Sequence, residues 1–208
     1  MKKGSIVLAT ILILLGILSF CFYLRLAESK STAYKYEQAL NIYLAPRLLE
    51  EIQDFDGKIG IALFDMNKGE SLLINASEQF KAASLIKVPI MLQLFLDKQN
   101  RMISFEQLVT YNANDRSGTE GQVARYPVGT RFKVGDLLQW MITISDNDAR
   151  NILLRIIGPQ RLNQTLKNIG LRSTEVRSHM YLLSDDASDS VTSPADMLKA
   201  IQLIYDRK

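Results

Sequence analysis

An uncharged run near the N-terminus constrains this chain of 208 residues more than any other feature. Residues 6–24 carry no charge, and a helix of that length rises about 28 Å at roughly 1.5 Å per residue, close to the roughly 30 Å hydrocarbon core of a bilayer. Lys2 and Lys3 precede the run, which predicts a cytoplasmic N-terminus and an exported remainder. A cleaved signal peptide is the alternative, but its apolar core usually spans only about 7–15 residues. We therefore interpret residues 1–25 as an uncleaved signal anchor that crosses a membrane once.

The formal net charge of +3 comes from this N-terminal segment alone. Its only charged residues are Lys2, Lys3 and Arg25, and without them the chain has 22 basic and 22 acidic residues. A nucleic-acid-binding protein normally shows an excess of basic residues, so we expect no nucleic-acid partner. The only cysteine, Cys21, lies inside the apolar run, which leaves the exported part without disulfides.

The rest of the chain combines helical and strand periodicity. Residues 26–40 are polar and are interpreted as a tether, whereas residues 100–133 contain several helix-breaking residues and are interpreted as a structured loop region. The predicted elements, in chain order, are a helix bent at Pro46 over residues 33–55, a β-hairpin over residues 59–74, helices over residues 85–97, 134–144, 148–157 and 160–169, and a last helix from Ser193-Pro194 to the end.

A serine and a lysine stand three positions apart in Ser84-Leu85-Ile86-Lys87, where a helix is predicted to begin. Residues at this spacing lie one above the other on a helix face, so the lysine amine can accept the serine proton if desolvation lowers the lysine pKa. The helix N-terminus favours the developing negative charge. The alternative is a capping serine beside a solvated lysine, because so short a pattern arises by chance about once in such a chain.

A second motif, Ser145-Asp146-Asn147, falls between two predicted helices, where a loop can present a hydroxyl and a carboxamide to a cleft. Its alternative role is to cap the helix that follows, through Ser145 or Asp146. The pairing of S-x-x-K with S-D-N occurs in class A β-lactamases and penicillin-binding proteins.

From about residue 50 to the end, the chain resembles the class A β-lactamase group of penicillin-recognising serine enzymes. The 61-residue separation of the two motif serines suits that family. The resemblance implies an α/β (α+β) fold of the β-lactamase/transpeptidase type, in which an antiparallel sheet packs on helices beside an all-helical subdomain; only the first hairpin of that sheet is encoded here. It assigns residues 41–208 to the catalytic domain. The segments that carry it are residues 82–89, 126–130, 137–151, 169–171 and 192–197.

The resemblance also implies a role for each matching residue. Ser84 would be the acylated nucleophile, with its backbone N–H as one arm of the oxyanion hole, and Lys87 would accept its proton. Ser145 would pass a proton to the departing amide nitrogen. Asn147 would hold Lys87 and bind the side-chain amide of the substrate, and Tyr111 would line the mouth of the substrate cleft. No metal or cofactor is expected, and the protein is expected to be a monomer.

Two departures from the family pattern bear on turnover. Met180 stands where the family has the glutamate that activates water for deacylation, and Ser184 stands where it has an asparagine. Glu175 or Asp185 could substitute only if the loop were shifted. Loss of such a base slows a step by about 10²–10⁴-fold, so the sequence predicts a long-lived acyl-enzyme. The K-T-G strand of the family is also absent before Lys208, and we therefore expect the chain to be the N-terminal part of a longer protein.

The sequence thus predicts a serine hydrolase anchored in a bacterial cell membrane, with its catalytic domain outside, acylated by β-lactams at Ser84. The alternatives are a D,D-peptidase acting on cell-wall peptides and an inactive truncated homologue that serves as a binding module. Two weaker possibilities are a triad through His179, the only histidine, and calcium binding by the acidic residues of one predicted loop. These residues are Asp185, Asp186 and Asp189.

Overall fold

The computed structural model describes residues 44–177 and 190–206. This part of the chain falls into two compact units, one comprising the described residues up to Ile59 with Leu63–Leu72, the other Gly60–Ala62 and the described residues from Leu73 onward. The apolar run at residues 6–24 and the tether lie outside the described residues. Within those two ranges, no helix has both the length and the apolar character needed to cross a membrane.

A helix and a β-hairpin come first along the described chain. Helix α1, Ala45–Ile52, has Pro46 in its first turn, where the missing N–H would have no intrahelical partner anyway. The described helix begins beside the proline, and residues 33–43 of the predicted bent helix lie outside the described residues. Strands β1, Ile61–Asp65, and β2, Glu70–Ile74, pair with each other, which confirms the predicted hairpin.

Five further helices form most of the second unit, and their positions confirm the prediction to within about two residues. Helix α2 is central, since it packs against each of the other four. Its inner face carries Ile90 and Leu94, both without exposed surface. The helices are α2, Lys87–Gln99; α3, Val134–Thr143; α4, Asn147–Ile157; α5, Pro159–Asn168; and α6, Pro194–Tyr205.

Two short strand pairs were missed by the sequence analysis. Strand β3, Phe80–Lys81, pairs antiparallel with β6, Val191–Thr192. Strand β4, Leu108–Thr110, pairs antiparallel with β5, Arg131–Lys133, inside the region interpreted as loop. Strands of two or three residues carry too little alternation to be recognised, and their partners are distant in sequence. The first pair matters for the site, because it fixes the chain immediately before Ser84.

Candidate active site

Ser84 lies in a 3₁₀ turn, Ala83–Ile86, that leads directly into α2. The preceding residue, Ala83, has a φ of 44°, a left-handed conformation that non-glycine residues adopt rarely and at a cost of about 1–3 kcal/mol. The turn is held on its upstream side by the N–H of Ala82, which donates to the carbonyl of Ser190 at 2.8 Å. This conformation leaves Ser84 exposed while Lys87 is buried with only 2% of its surface accessible.

Ser145 occupies the junction between α3 and α4 in a similarly unusual conformation. Its φ is 59°, and its side chain is exposed. The next residue, Asp146, caps α4 by accepting a hydrogen bond from the N–H of Ala149. The capping role considered for this motif therefore belongs to Asp146, which leaves the hydroxyl of Ser145 available to other partners.

The structure brings the two motifs together. The Ser84 Oγ and the Ser145 Oγ lie 3.0 Å apart, although 61 residues separate them in sequence. The Lys87 Nζ lies 2.7 Å from the Ser145 Oγ and 3.4 Å from the Ser84 Oγ. It also donates to the Ser145 carbonyl at 2.6 Å and to Asn147 Oδ1 at 2.7 Å. One buried amine thus contacts two exposed hydroxyls, an arrangement suited to moving a proton between them.

The surroundings of Lys87 favour its neutral form. Burial, followed by the positive charge of Arg150, lowers the pKa of Lys87 from 10.5 to about 8, and the carboxylate of Asp146 partly opposes this shift. Both effects disfavour the ammonium ion, the first by desolvation and the second by charge repulsion. A lysine with this pKa has a substantial neutral fraction near neutral pH and can act as a base.

Asp146 connects α4 to the 3₁₀ turn Val123–Arg125. Its Oδ1 accepts from the N–H of Ala149, and its Oδ2 accepts from the N–H of Val123, both at 2.9 Å. Gly121 makes this close approach possible, because a Cβ at that position would lie 2.7 Å from Asp146 Oδ2. The carboxylate therefore holds the Ser145 junction against the neighbouring loop.

We predict that Asp146→Ala lowers the free energy of unfolding by about 1–3 kcal/mol, since it removes a helix cap and leaves the buried N–H of Val123 without a partner. Acylation should also slow, because Ser145 and Asn147 flank the lost anchor. The control is Ser193→Ala, which removes the cap of α6 and should cost about 1 kcal/mol without changing acylation. Urea unfolding measures the change in stability, and the rate of acylation measures the second effect. Equal acylation rates in Asp146→Ala and Ser193→Ala would contradict the positioning role of Asp146.

A chain of hydrogen bonds orients the amide of Asn147. Its Nδ2 donates to the Thr119 Oγ1 at 3.2 Å, which leaves Oδ1 to accept from Lys87. The hydroxyls of Thr119 and Ser117 lie 2.6 Å apart, and the N–H of Ser117 donates to Asp148 Oδ1 at 2.7 Å. The sequence analysis missed these supporting residues, although the acidic residue directly after S-D-N was a usable signal for Asp148.

Tyr111 is buried and contacts the far end of this chain of hydrogen bonds, at Asp148. It is 1% exposed, and its hydroxyl donates to Asp148 Oδ2 at 2.6 Å. Burial and this hydrogen bond raise the pKa of Tyr111 to about 12. Its position does not favour the substrate contact expected from the sequence, and the residue instead supports the loop that contains Ser117.

Of the remaining candidates, only Glu175 lies in the described part of the chain. Glu175 pairs with Arg177, at 3.3 Å between their side chains. Among the residues that the structure describes, no three metal-binding side chains form a group. The other residues singled out from the sequence lie outside the described residues: Met180, Ser184, His179, Asp185, Asp186 and Asp189.

Comparison with known proteins gives one family and many relatives. A model described as the Beta-lactamase enzyme family matches residues 43–208. An imipenem-hydrolysing β-lactamase of Enterobacter cloacae is 29% identical over 124 residues, which cover 56% of this chain and 40% of that protein. The β-lactamase VEB-1 of Pseudomonas aeruginosa is 26% identical over 152 residues, which cover 69% of this chain and 51% of that protein. The chain thus spans about half the length, or less, of these two relatives.

Solved structures share the fold. A mutant of PBP-A, in an acyl-enzyme complex with penicillin G, aligns with a TM-score of 0.70 at 22% identity, over 78% of this chain and 61% of that chain. The likeness confirms the α+β architecture that the sequence predicts.

Proposed function

The chain belongs to the β-lactamase enzyme family, and we propose that it is a serine hydrolase that β-lactams acylate at Ser84. The observation that carries this proposal is the contact of Lys87 with both motif hydroxyls, those of Ser84 and Ser145. We further propose that residues 6–24 anchor the protein in a bacterial membrane, on the strength of their length, their lack of charge and the preceding Lys2 and Lys3. Fractionation of cells that produce the full chain tests this location.

The geometry of these groups supports a route for acylation. Neutral Lys87 takes the proton of Ser84 as the Ser84 Oγ attacks the carbonyl carbon of the β-lactam ring, and the ring C–N bond breaks. Ser145 gives its proton to the departing nitrogen and recovers one from Lys87, whose Nζ lies 2.7 Å from the Ser145 Oγ. The products are an ester at Ser84 and an amine on the opened ring, with every proton accounted for.

Hydrolysis of that ester is proposed to be slow. Among residues 44–177 and 190–206, no carboxylate accepts a hydrogen bond from Ser84, Lys87 or Ser145. The nearest candidate, Asp146, already accepts a backbone N–H at each of its oxygens. With Met180 at the position of the family's glutamate, the described part of the chain offers no evident base to activate water.

We predict burst kinetics with the chromogenic β-lactam nitrocefin. About one equivalent of product should form rapidly per protein, followed by turnover about 10²–10⁴-fold slower, because deacylation lacks a general base. Stopped-flow absorbance on the full chain measures both phases, with Ser84→Ala as the control that shows neither. A steady-state rate as fast as the burst would contradict slow deacylation, and hydrolysis that persists in Ser84→Ala would contradict acylation at this serine.

The same lack of a deacylating carboxylate favours a second candidate, a D,D-peptidase acting on cell-wall peptides. Such an enzyme would use the same acylation by Ser84 with a peptide amide in place of the β-lactam. Release of D-alanine from a peptide ending in D-Ala-D-Ala distinguishes the two substrate classes.

A further inference from the structure

Arg150 is a buried cation without a counter-ion in the described part of the chain. It lies in the first turns of α4 with 1% of its surface exposed, and burial lowers its pKa to about 10, so that it stays charged at neutral pH. One guanidinium nitrogen donates to Asn151 Oδ1 at 2.9 Å, while Nε has no hydrogen-bond partner. Isolated buried charge is costly, so this position calls for an explanation.

Other arginines near this helix are neutralised in the usual way. Arg155, also in α4, pairs with Asp115 at 2.8 Å. Arg161, in α5, pairs with Asp97. Arg150 differs from both because its charge is not cancelled by a carboxylate among the described residues.

The backbone places Arg150 one helical turn from a residue that contacts Lys87. Arg150 follows Asn147 by three residues, so the two lie on the same face of α4, one turn apart. Asn147 Oδ1 accepts a hydrogen bond from Lys87, and α4 packs against α2, which begins with Lys87. The positive charge of Arg150 disfavours a second positive charge on Lys87 and so contributes to lowering its pKa.

Few other charges face Lys87. Asp146 acts in the opposite direction, although both of its oxygens accept backbone N–H groups. The carboxylate of Asp148 is occupied by Tyr111 and Ser117. Within α2 the next charged side chains, Asp97 and Lys98, lie at the opposite end, about 15 Å along the helix.

We propose that Arg150 is a positioning residue, whose buried charge acts together with the burial of Lys87 to favour the neutral lysine that accepts the Ser84 proton. The proposal rests on the acylation proposed above. It explains why the guanidinium of Arg150 is buried although this costs free energy. The buried charge helps to activate Lys87 as the base.

Direct titration of Lys87 tests this role without any substrate. The full chain is labelled with ¹³Cε-lysine in detergent, and the Lys87 resonance is assigned by its loss in Lys87→Met. We expect a midpoint near 8 in the wild type and a rise of about one unit or more in Arg150→Met and Arg150→Gln. Arg150→Lys should restore most of the shift, and Arg131→Met, at an exposed arginine of β5, should leave the midpoint unchanged. An unchanged midpoint in both neutral variants would overturn the proposal.

The acylation rate gives a second readout. At pH 7 the neutral fraction of Lys87 falls about tenfold for each unit of rise in its pKa, so Arg150→Met should react about tenfold more slowly with a fluorescent penicillin and recover above pH 9. A purely structural role would slow the reaction equally at every pH, which would count against the proposal.

If the wild type takes up no penicillin, the proposed function fails, while the Lys87 titration still decides the role of Arg150. Melting temperatures check that Arg150→Met and Arg150→Gln are folded. We expect stable variants, because a buried charge can often be replaced by an uncharged residue without loss of stability.

Discussion

Replacing Ser84 with alanine is expected to abolish covalent labelling of the protein by a fluorescent penicillin. Ser84 is exposed near the start of its 3₁₀ turn and is the proposed nucleophile, so its loss removes the oxygen that would form the ester. Removal of a nucleophilic serine lowers turnover on the order of 10⁶-fold in well-studied hydrolases. Because Ser84 is exposed, the variant should keep a melting temperature close to that of the wild type.

A matched control separates the chemistry from general damage. Ser104 is also exposed, and its hydroxyl accepts a local hydrogen bond from the N–H of Glu106. Ser104→Ala should label at the wild-type rate. Persistent label in Ser84→Ala would contradict the assignment, and peptide mapping would then show whether Ser145, 3.0 Å away, had taken up the penicillin.

Lys87→Met is expected to slow acylation by about 10²–10⁴-fold, the usual effect of removing a general base. The pH dependence should change as well. In the wild type the rate rises about tenfold per pH unit up to the pKa of Lys87, about 8, and then levels off, since only neutral lysine accepts the proton. In Lys87→Met this rise should disappear, because the titrating group is gone.

Labelling rates between pH 5.5 and 9.5 measure both effects, with pH limits chosen about 1.5–2.5 units either side of that pKa. The control is Lys167→Met, at an exposed lysine of α5, which should react like the wild type. A profile that keeps its rise near pH 8 in Lys87→Met would show that another group is the base. Unfolding curves establish that the variant is folded, since the Ser145 carbonyl and Asn147 Oδ1 lose a hydrogen bond from Lys87.

The helices and the hydroxyl–amine cluster were the predictable parts of this structure. Helices α2 to α5 each contain ten or more residues with clear apolar periodicity, and the S-x-x-K spacing already implies that Ser84 and Lys87 are neighbours. The meeting of Lys87 with Ser145 and Asn147 followed from the family resemblance, because nothing local relates positions about 60 residues apart. Strands β3 and β6 were missed for the same reason, since they pair over more than 100 residues.

The burial of Arg150 and Tyr111 could not be predicted from the sequence. An arginine in an amphipathic helix is normally exposed, so its complete burial appears only when α4 is packed against its neighbours. We expected Tyr111 to line the mouth of the cleft. In the structure it is buried, and its hydroxyl donates a hydrogen bond to Asp148, 37 residues further along the chain. In both cases the decisive information is tertiary packing rather than a local pattern.

Intact-protein mass spectrometry of the full chain after incubation with penicillin G is the most direct test of acylation at Ser84. Opening of the β-lactam ring expels no fragment, so we expect a single adduct with the mass of the whole antibiotic, located by peptide mapping on the peptide that contains Ser84. A protein that remains unmodified, or an adduct on a peptide without Ser84, would contradict the proposed function.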